Sequence, residues 1–251
     1  MIVLGIETAT RIGSVGLVRV PGAGAGDDPA EVLAEDHRDS GRTHGAMLLE
    51  QIDAALEHAG LGLGAVEAIA VSAGPGSFTG LRVGMATAKA LAWASGVPAV
   101  AVPTLEAWAV RATELGIAQP GAILGVVLDA RKQEVYSALF GVGAAGPERL
   151  RPDRVESPHA CATALREATG GDGPLVLLGD GPQRYAESFA GLADAARTGL
   201  DELPPSGAGV ARLGAERLIA QGPEDVRDLA PVYVRQSEAE LNLGRKSQSM
   251  D

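Results

Sequence analysis

The chain has 251 residues, enough for one large domain or two of ordinary size, and 46% of them are hydrophobic, enough to fill a sizeable core. Its 21 Lys and Arg against 32 Asp and Glu give a formal net charge of -11, which repels phosphate backbones and anionic lipid and disfavours direct binding of nucleic acid by the chain alone. A single cysteine, Cys161, excludes an internal disulfide and a cysteine-based zinc site, the apolar start MIVLGI is cut by Glu7 before it can form a secretory signal, and no run reaches the roughly 18 apolar residues of a membrane span, so a cytoplasmic protein is expected.

In chain order, IVLGIET and GSVGLVRV read as two hairpin-paired strands, followed by a Gly- and Pro-rich turn over 21–29 and a third strand in AEVLAEDHR. Ser40 and Thr43 offer N-cap oxygens to a helix with Ala46, Leu49, Ile52, Leu56 and Ala59 at helical spacing and Gly60 as its stop. VEAIAVSAG is the next strand. It runs through GPGSF into a long helix ending near Gly96, and VPAVAV is a further buried strand before a helix from about Thr104 to Leu115.

Near Gly121 the pattern restarts. AILGVVLDARKQEVYSALF gives two strands, RLRPDRVES a third, and Pro158 to Ala168 a helix. PLVLLGD is then a strand, followed by an alanine-rich helical stretch and a helix in SGAGVARLGAERLIAQG. The chain closes with PVYVR and a polar tail. Placing Glu7 over Asp129 superposes the halves in element order, which predicts an α/β fold of two lobes related by internal duplication, the architecture of actin-like ATP-binding proteins. The expected division is a first lobe over 1–102, a linking helix over 103–120, a second lobe over 121–236 and a tail over 237–251.

Three features bear on chemistry. GPGSF, at a strand-to-helix junction, suits either an anion at the helix N-terminus or a Ser77 or Thr79 cap; it lacks the Gly-Lys-Ser/Thr of a P-loop. Gly80, Gly84 and Ala88 form a stripe of small residues whose helix-propensity cost, roughly 0.8 to 1.0 kcal/mol per glycine, calls for close approach of another backbone, in this chain or another subunit. Glu7 and Asp129 end the first strand of each half, where they can hold a hydrated magnesium or cap the next turn; neither is followed by the Asp-x-Gly pattern of an actin-like phosphate loop. His37, His44, His58 and His159 include no pair at i+3 or i+4, so no helical metal site is expected.

LGIETAT, GPGSFTGLRVG, GVPAVAVPTLEA, DARKQEVY and APVYVR together resemble the TsaB (YeaZ) family over nearly the whole chain. The resemblance implies a two-lobed actin-like (ASKHA, ribonuclease H-like) fold related to the catalytic subunit TsaD. It implies a non-catalytic scaffold that binds and activates TsaD, with the ATPase TsaE, for threonylcarbamoyl transfer to adenosine 37 of ANN-decoding tRNAs. No cofactor and no metal are implied. Thr104 and Trp108 stand where TsaD-like proteins carry metal-binding histidines, and Gly179-Asp180-Gly181 is a reduced form of the adenosine-binding element.

With Glu7, Thr8 and Asp129, Gly179 and Gly181 would form a degenerate nucleotide cleft. The helices at 43–59 and 79–95 are implied as the partner contact, with Met47, Gln51, Gly80, Gly84, Met85 and Ala88 as its residues. A homodimer through the same helices is possible, tRNA is reached only indirectly, and no membrane is involved. The alternative within the same fold is an independent small-molecule kinase or ATPase using Glu7 and Asp129.

Overall fold

The computed structural model describes residues 1–21, 30–39, 44–170, 173–192 and 194–235. The Ser40 and Thr43 caps, the turn from residue 22 to 29 and the tail beyond residue 235 lie outside the described residues.

The first sheet has the order β3-β2-β1-β4-β5, made from β1 (Ile2–Glu7), β2 (Ile12–Arg19), β3 (Glu31–Asp39), β4 (Ala68–Gly74) and β5 (Ala99–Pro103). β1, β2 and β3 pair antiparallel, while β4 and β5 add in parallel. The second sheet repeats this as β8-β7-β6-β9-β10, from β6 (Ile123–Asp129), β7 (Val135–Gly143), β8 (Gly146–Glu156), β9 (Leu175–Leu178) and β10 (Ala196–Thr198). Its first three strands are antiparallel and its last two parallel. The duplication expected from element order is therefore present strand for strand.

β10 replaces the expected alanine-rich helix. After the four-residue α5 (Gly181–Arg184), Phe189 is buried against the second sheet, and the Arg197 guanidinium donates to the Phe189 and Leu192 carbonyls at 2.9 and 3.3 Å. The parallel edge beside β9 overrides the local preference of alanine for helix.

The long helices are α1 (His44–His58), α2 (Phe78–Ser95), α3 (Thr104–Glu114), α4 (Pro158–Ala168) and α6 (Gly207–Gln221). α1 and α2 cover one face of the first sheet: Leu48, Ile52, Met85 and Ala88 pack on Leu4, Ile6, Val15 and Leu17. Alternation along β1 turns Val3 to the other face, where it meets Ala208 and Ala211 of α6. α4 lies on the second sheet through Cys161 and Leu165, and Cys161 is core, the usual place of a lone cysteine; burial pushes its thiol up to about 12.

α6 crosses the division expected at residue 121, and α3, in the span expected as a linking helix over 103–120, lies between the two sheets. α3 packs under the second sheet through Leu105, Trp108, Ala109 and Ala112, and on the first through Ala107, which meets Val100 and Val102. α6 follows the second sheet in sequence but packs on the first. A Cβ on Gly5 would come within 1.9 Å of the Gly207 carbonyl oxygen, and one on Gly207 within 2.4 Å of the Gly16 nitrogen. Only glycine at these positions lets the start of α6 lie directly on β1 and β2. No helix of the described residues is long and apolar enough to cross a membrane.

Candidate functional site

The two strand-end acids occupy equivalent places and have unlike surroundings. Both cap the next turn, one of the two roles open to them from sequence: the Ala9 N–H donates to Glu7 Oε1 at 2.5 Å, and the Arg131 N–H to Asp129 Oδ1 at 2.9 Å. Beyond this they diverge. Glu7 is 1% exposed and its Oε2 has no partner. It lies beside Trp108, Arg111 and the 203–206 segment in a narrow crevice. Burial raises its carboxyl from 4.5 to about 7, against the lowering effect of the Ala9 N–H and the Ser72 hydroxyl. Asp129 is surrounded by donors: Tyr185 Oη at 2.8 Å, Arg184 Nε at 3.1 Å and Arg131 Nη1 at 3.5 Å.

In each lobe the turn after the fourth strand meets the end of the first strand, in the first lobe through the Ser77 N–H to the Ala9 carbonyl at 2.7 Å. In the first lobe Ser77 Oγ accepts the Gly80 N–H at 3.3 Å, so GPGSF ends in the helix cap that its sequence allowed. In the second, Asp180 Oδ1 accepts the Asp129 N–H at 2.9 Å. The space freed by the glycines is filled by the chain itself. A Cβ on Gly179 or Gly181 would meet the Val127 carbonyl oxygen at 2.4 or 2.9 Å, and Gly179 has a positive φ of 99°.

The small-residue stripe on α2 is likewise internal, which corrects its assignment to the partner face. A Cβ on Gly80 would lie 2.0 Å from the Thr8 carbonyl oxygen and one on Gly84 2.3 Å from Thr8 Oγ1, while Thr8 Oγ1 donates to the Gly80 carbonyl at 2.8 Å. Met85 and Ala88 belong to the core. Gln51 is corrected too: it is 3% exposed, and its Nε2 donates to the Gly13 and Asp36 carbonyls at 3.2 and 2.9 Å, tying α1 to β2 and β3. Of the six residues expected at the interface, Met47 alone reaches the surface, and it is half-buried.

The outward face of α1 and α2 consists of other residues. Leu49, expected in the core, is 57% exposed, because the buried row runs through Leu48, Gln51, Ile52 and Ala55. Trp93 is 86% exposed, on the same side of α2 as exposed Ala86 and Ala90. α2 carries alanine both on its inner row, at Ala88 and Ala92, and on its outer row, at Ala86 and Ala90, so residue type did not separate the two.

Thr104 and Trp108 are structural. Thr104 Oγ1 is buried and accepts the Gly74 N–H at 3.1 Å, and Trp108 is core. Neither position fits a metal ion, since the hydroxyl is engaged by backbone and an indole has no lone pair to coordinate. Among the described residues no group of three His, Cys, Asp or Glu is arranged to hold one.

Sequence reading missed Glu35. Its Oε1 accepts the Ala208 N–H at 2.9 Å and the Ser206 hydroxyl at 2.6 Å, capping α6 from β3. Burial pushes this carboxyl up, but His37, Ser206 and the Ala208 N–H outweigh burial and hold it at about 2.

The family model described as TsaD: tRNA N6-adenosine threonylcarbamoyltransferase matches residues 34–241. The chain is 39% identical over 165 residues to an uncharacterized protein of Mycobacterium leprae, covering 65% of this chain and 42% of that one. It is 32% identical over 176 residues to the tRNA threonylcarbamoyladenosine biosynthesis protein TsaB of Bacillus subtilis, covering 68% of this chain and 71% of that one. Among solved structures, YeaZ from Pseudomonas aeruginosa aligns at a TM-score of 0.73 and 25% identity over 92% of this chain and 99% of that one.

Proposed function

The chain belongs to the TsaD family, on its TsaB (YeaZ) branch, and on that premise we propose that it is a non-catalytic subunit of the machinery that makes threonylcarbamoyladenosine on tRNA. In this reading it binds and stabilises TsaD, with TsaE joining, for transfer to adenosine 37 of ANN-decoding tRNAs. The observation that carries the reading is the outer face of α1 and α2, where Trp93 at 86% and Leu49 at 57% exposure stand unburied on a helix pair anchored firmly to the first sheet. Exposed tryptophan beside small apolar residues is what the core of a protein–protein interface looks like when its partner is absent. The net charge of -11 supports a partner made of protein, with tRNA reached through it.

Internal packing supports the non-catalytic part. Asp129 is matched by Arg184, Arg131 and Tyr185, and Val127 fills the space beside Gly179 and Gly181. A carboxylate already matched by two arginines and a tyrosine is a poor magnesium ligand, which favours the scaffold reading over the kinase alternative.

The test is co-purification of tagged chain with TsaD. Trp93→Glu and Leu49→Glu are each expected to weaken the complex at least ten-fold while shifting unfolding by no more than about 0.5 kcal/mol, as surface substitutions do. Undiminished complex formation by both would sink the interface. Sedimentation of the chain alone, with and without these substitutions, reads the homodimer through the same face.

A further inference from the structure

We propose that the segment from Leu229 to Arg235 is a strap that latches the two lobes together, from the Gly74 turn of the first to the β6–β7 turn of the second, with Arg235 as the bolt into the second lobe. After α6 the chain returns along the first sheet. The Ala101 N–H donates to Glu224 Oε1 at 3.1 Å, and Lys89 Nζ donates to the Arg227 and Leu229 carbonyls at 2.9 and 3.0 Å, which seats the Leu229 side chain in the core beneath α1 and α2.

The strap then docks on the glycine turn itself. The Val232 N–H donates to the Ala73 carbonyl at 2.7 Å, and the Val232 carbonyl oxygen lies 2.6 Å from where a Cβ on Gly74 would be. Tyr233 stacks on Phe78 with ring centroids 4.9 Å apart. Arg82 stands 3.9 Å over the Phe78 ring and donates from Nε to the Tyr233 hydroxyl at 2.9 Å.

Two residues later the same segment is in the other lobe. Arg235 Nη1 donates to the Ala130 carbonyl at 2.7 Å and Nη2 pairs with Glu134. These residues bound the β6–β7 turn, in which Arg131, Lys132 and Gln133 have φ of 63°, 54° and 60°. Three successive residues with a Cβ in the left-handed region are sterically unfavourable and persist only where the surroundings hold them. The turn closes on itself through the Ala130 N–H to the Glu134 carbonyl and the Glu134 N–H to the Arg131 carbonyl, both 3.0 Å. Arg235 clamps the outside of that loop. One guanidinium at the end of a strap fixed to the first lobe therefore braces the strained turn of the second.

Hydrogen exchange read by mass spectrometry on the full chain tests this. In Arg235→Ala, amides of 130–135 should exchange at least ten-fold faster while 73–89 remain at wild-type rates; trypsin should cut after Arg131 and Lys132 at least ten-fold faster. Tyr233→Ala, which removes the strap's aromatic hold on the first lobe and leaves the Val232 and Leu229 contacts, should speed exchange in both 73–78 and 130–135. Arg235→Lys, with one ammonium in place of a fork, should fall between wild type and Arg235→Ala, and it carries the test by itself if Arg235→Ala does not fold. Unchanged exchange at 130–135 in the Arg235 variants, or acceleration spread evenly over the whole chain, overturns the latch.

Discussion

The first and second lobes share a strand order and differ in the helix after the fourth strand. In the first, Gly74 leads into α2, an 18-residue helix; in the second, Gly179 leads into α5, which has four. The first lobe buries its strand-end acid, Glu7, without a cation, while the second surrounds Asp129 with two arginines and a tyrosine. One copy of the repeat thus keeps a long helix with an exposed outer row, and the other retains little beyond the turn. The duplication supplies a scaffold, and the asymmetry decides which half has a face to offer.

The largest expected effect sharpens the contrast in packing. Gly80→Ala puts a methyl 2.0 Å from the Thr8 carbonyl oxygen, whereas Gly181→Ala clashes less deeply, meeting the Val127 Cγ1 at 2.6 Å and its carbonyl oxygen at 2.9 Å. Urea unfolding should show a loss of about 3 kcal/mol or more for the first and about 1–2 kcal/mol for the second. For the same reason Gly84 and Ala88 are poor sites for testing the partner face, since bulk there disturbs the fold itself. Equal losses at Gly80 and Gly181 would break the comparison.

Next in size is the pH dependence of Glu7. Its carboxyl binds a proton more tightly folded, at about 7, than its ordinary value of 4.5, so stability is full below pH 4.5 and is lost as pH rises through 7. Glu7→Gln keeps the Ala9 contact without the charge. It should match wild type at pH 4 and exceed it at pH 8 by up to about 3 kcal/mol in thermal or urea unfolding. A substitution that costs stability at pH 8 would show that the ionised carboxylate is held by a partner after all. The smallest effect is Asp129→Asn. Arg184 and Arg131 are largely exposed and water replaces much of what they lose, so a destabilisation of about 1–2 kcal/mol is expected by urea unfolding.

Much of this was legible in the residues. Hydrophobic runs with turn signals gave nine of the ten strands among the described residues, α4 within its observed bounds, a cap at Ser77 or Thr79, of which Ser77 is the one observed, and the repeat that relates β1 to β6. What failed did so for identifiable reasons. β10 is three residues long and exists because β9 offers a parallel edge, information that an alanine-rich segment does not carry. Gly80 and Gly84 announced a close approach, and the stripe could not say whose backbone approached. Leu49 and Leu48 are neighbours of the same type, and one position of helical phase separates core from surface.

By itself the sequence determined the class of fold, the strand-end acids and the need for small residues along α2, because periodicity, glycine and charge act within a few residues of where they are written. Only the tertiary structure decided that Thr8 fills the α2 stripe, that α3 lies between the sheets and α6 returns to the first, that Glu35 holds the helix cap Ser206 171 positions away, and that Arg235 reaches Ala130. Each of these joins groups remote in sequence, and the geometry that matches them exists only once both sheets are assembled.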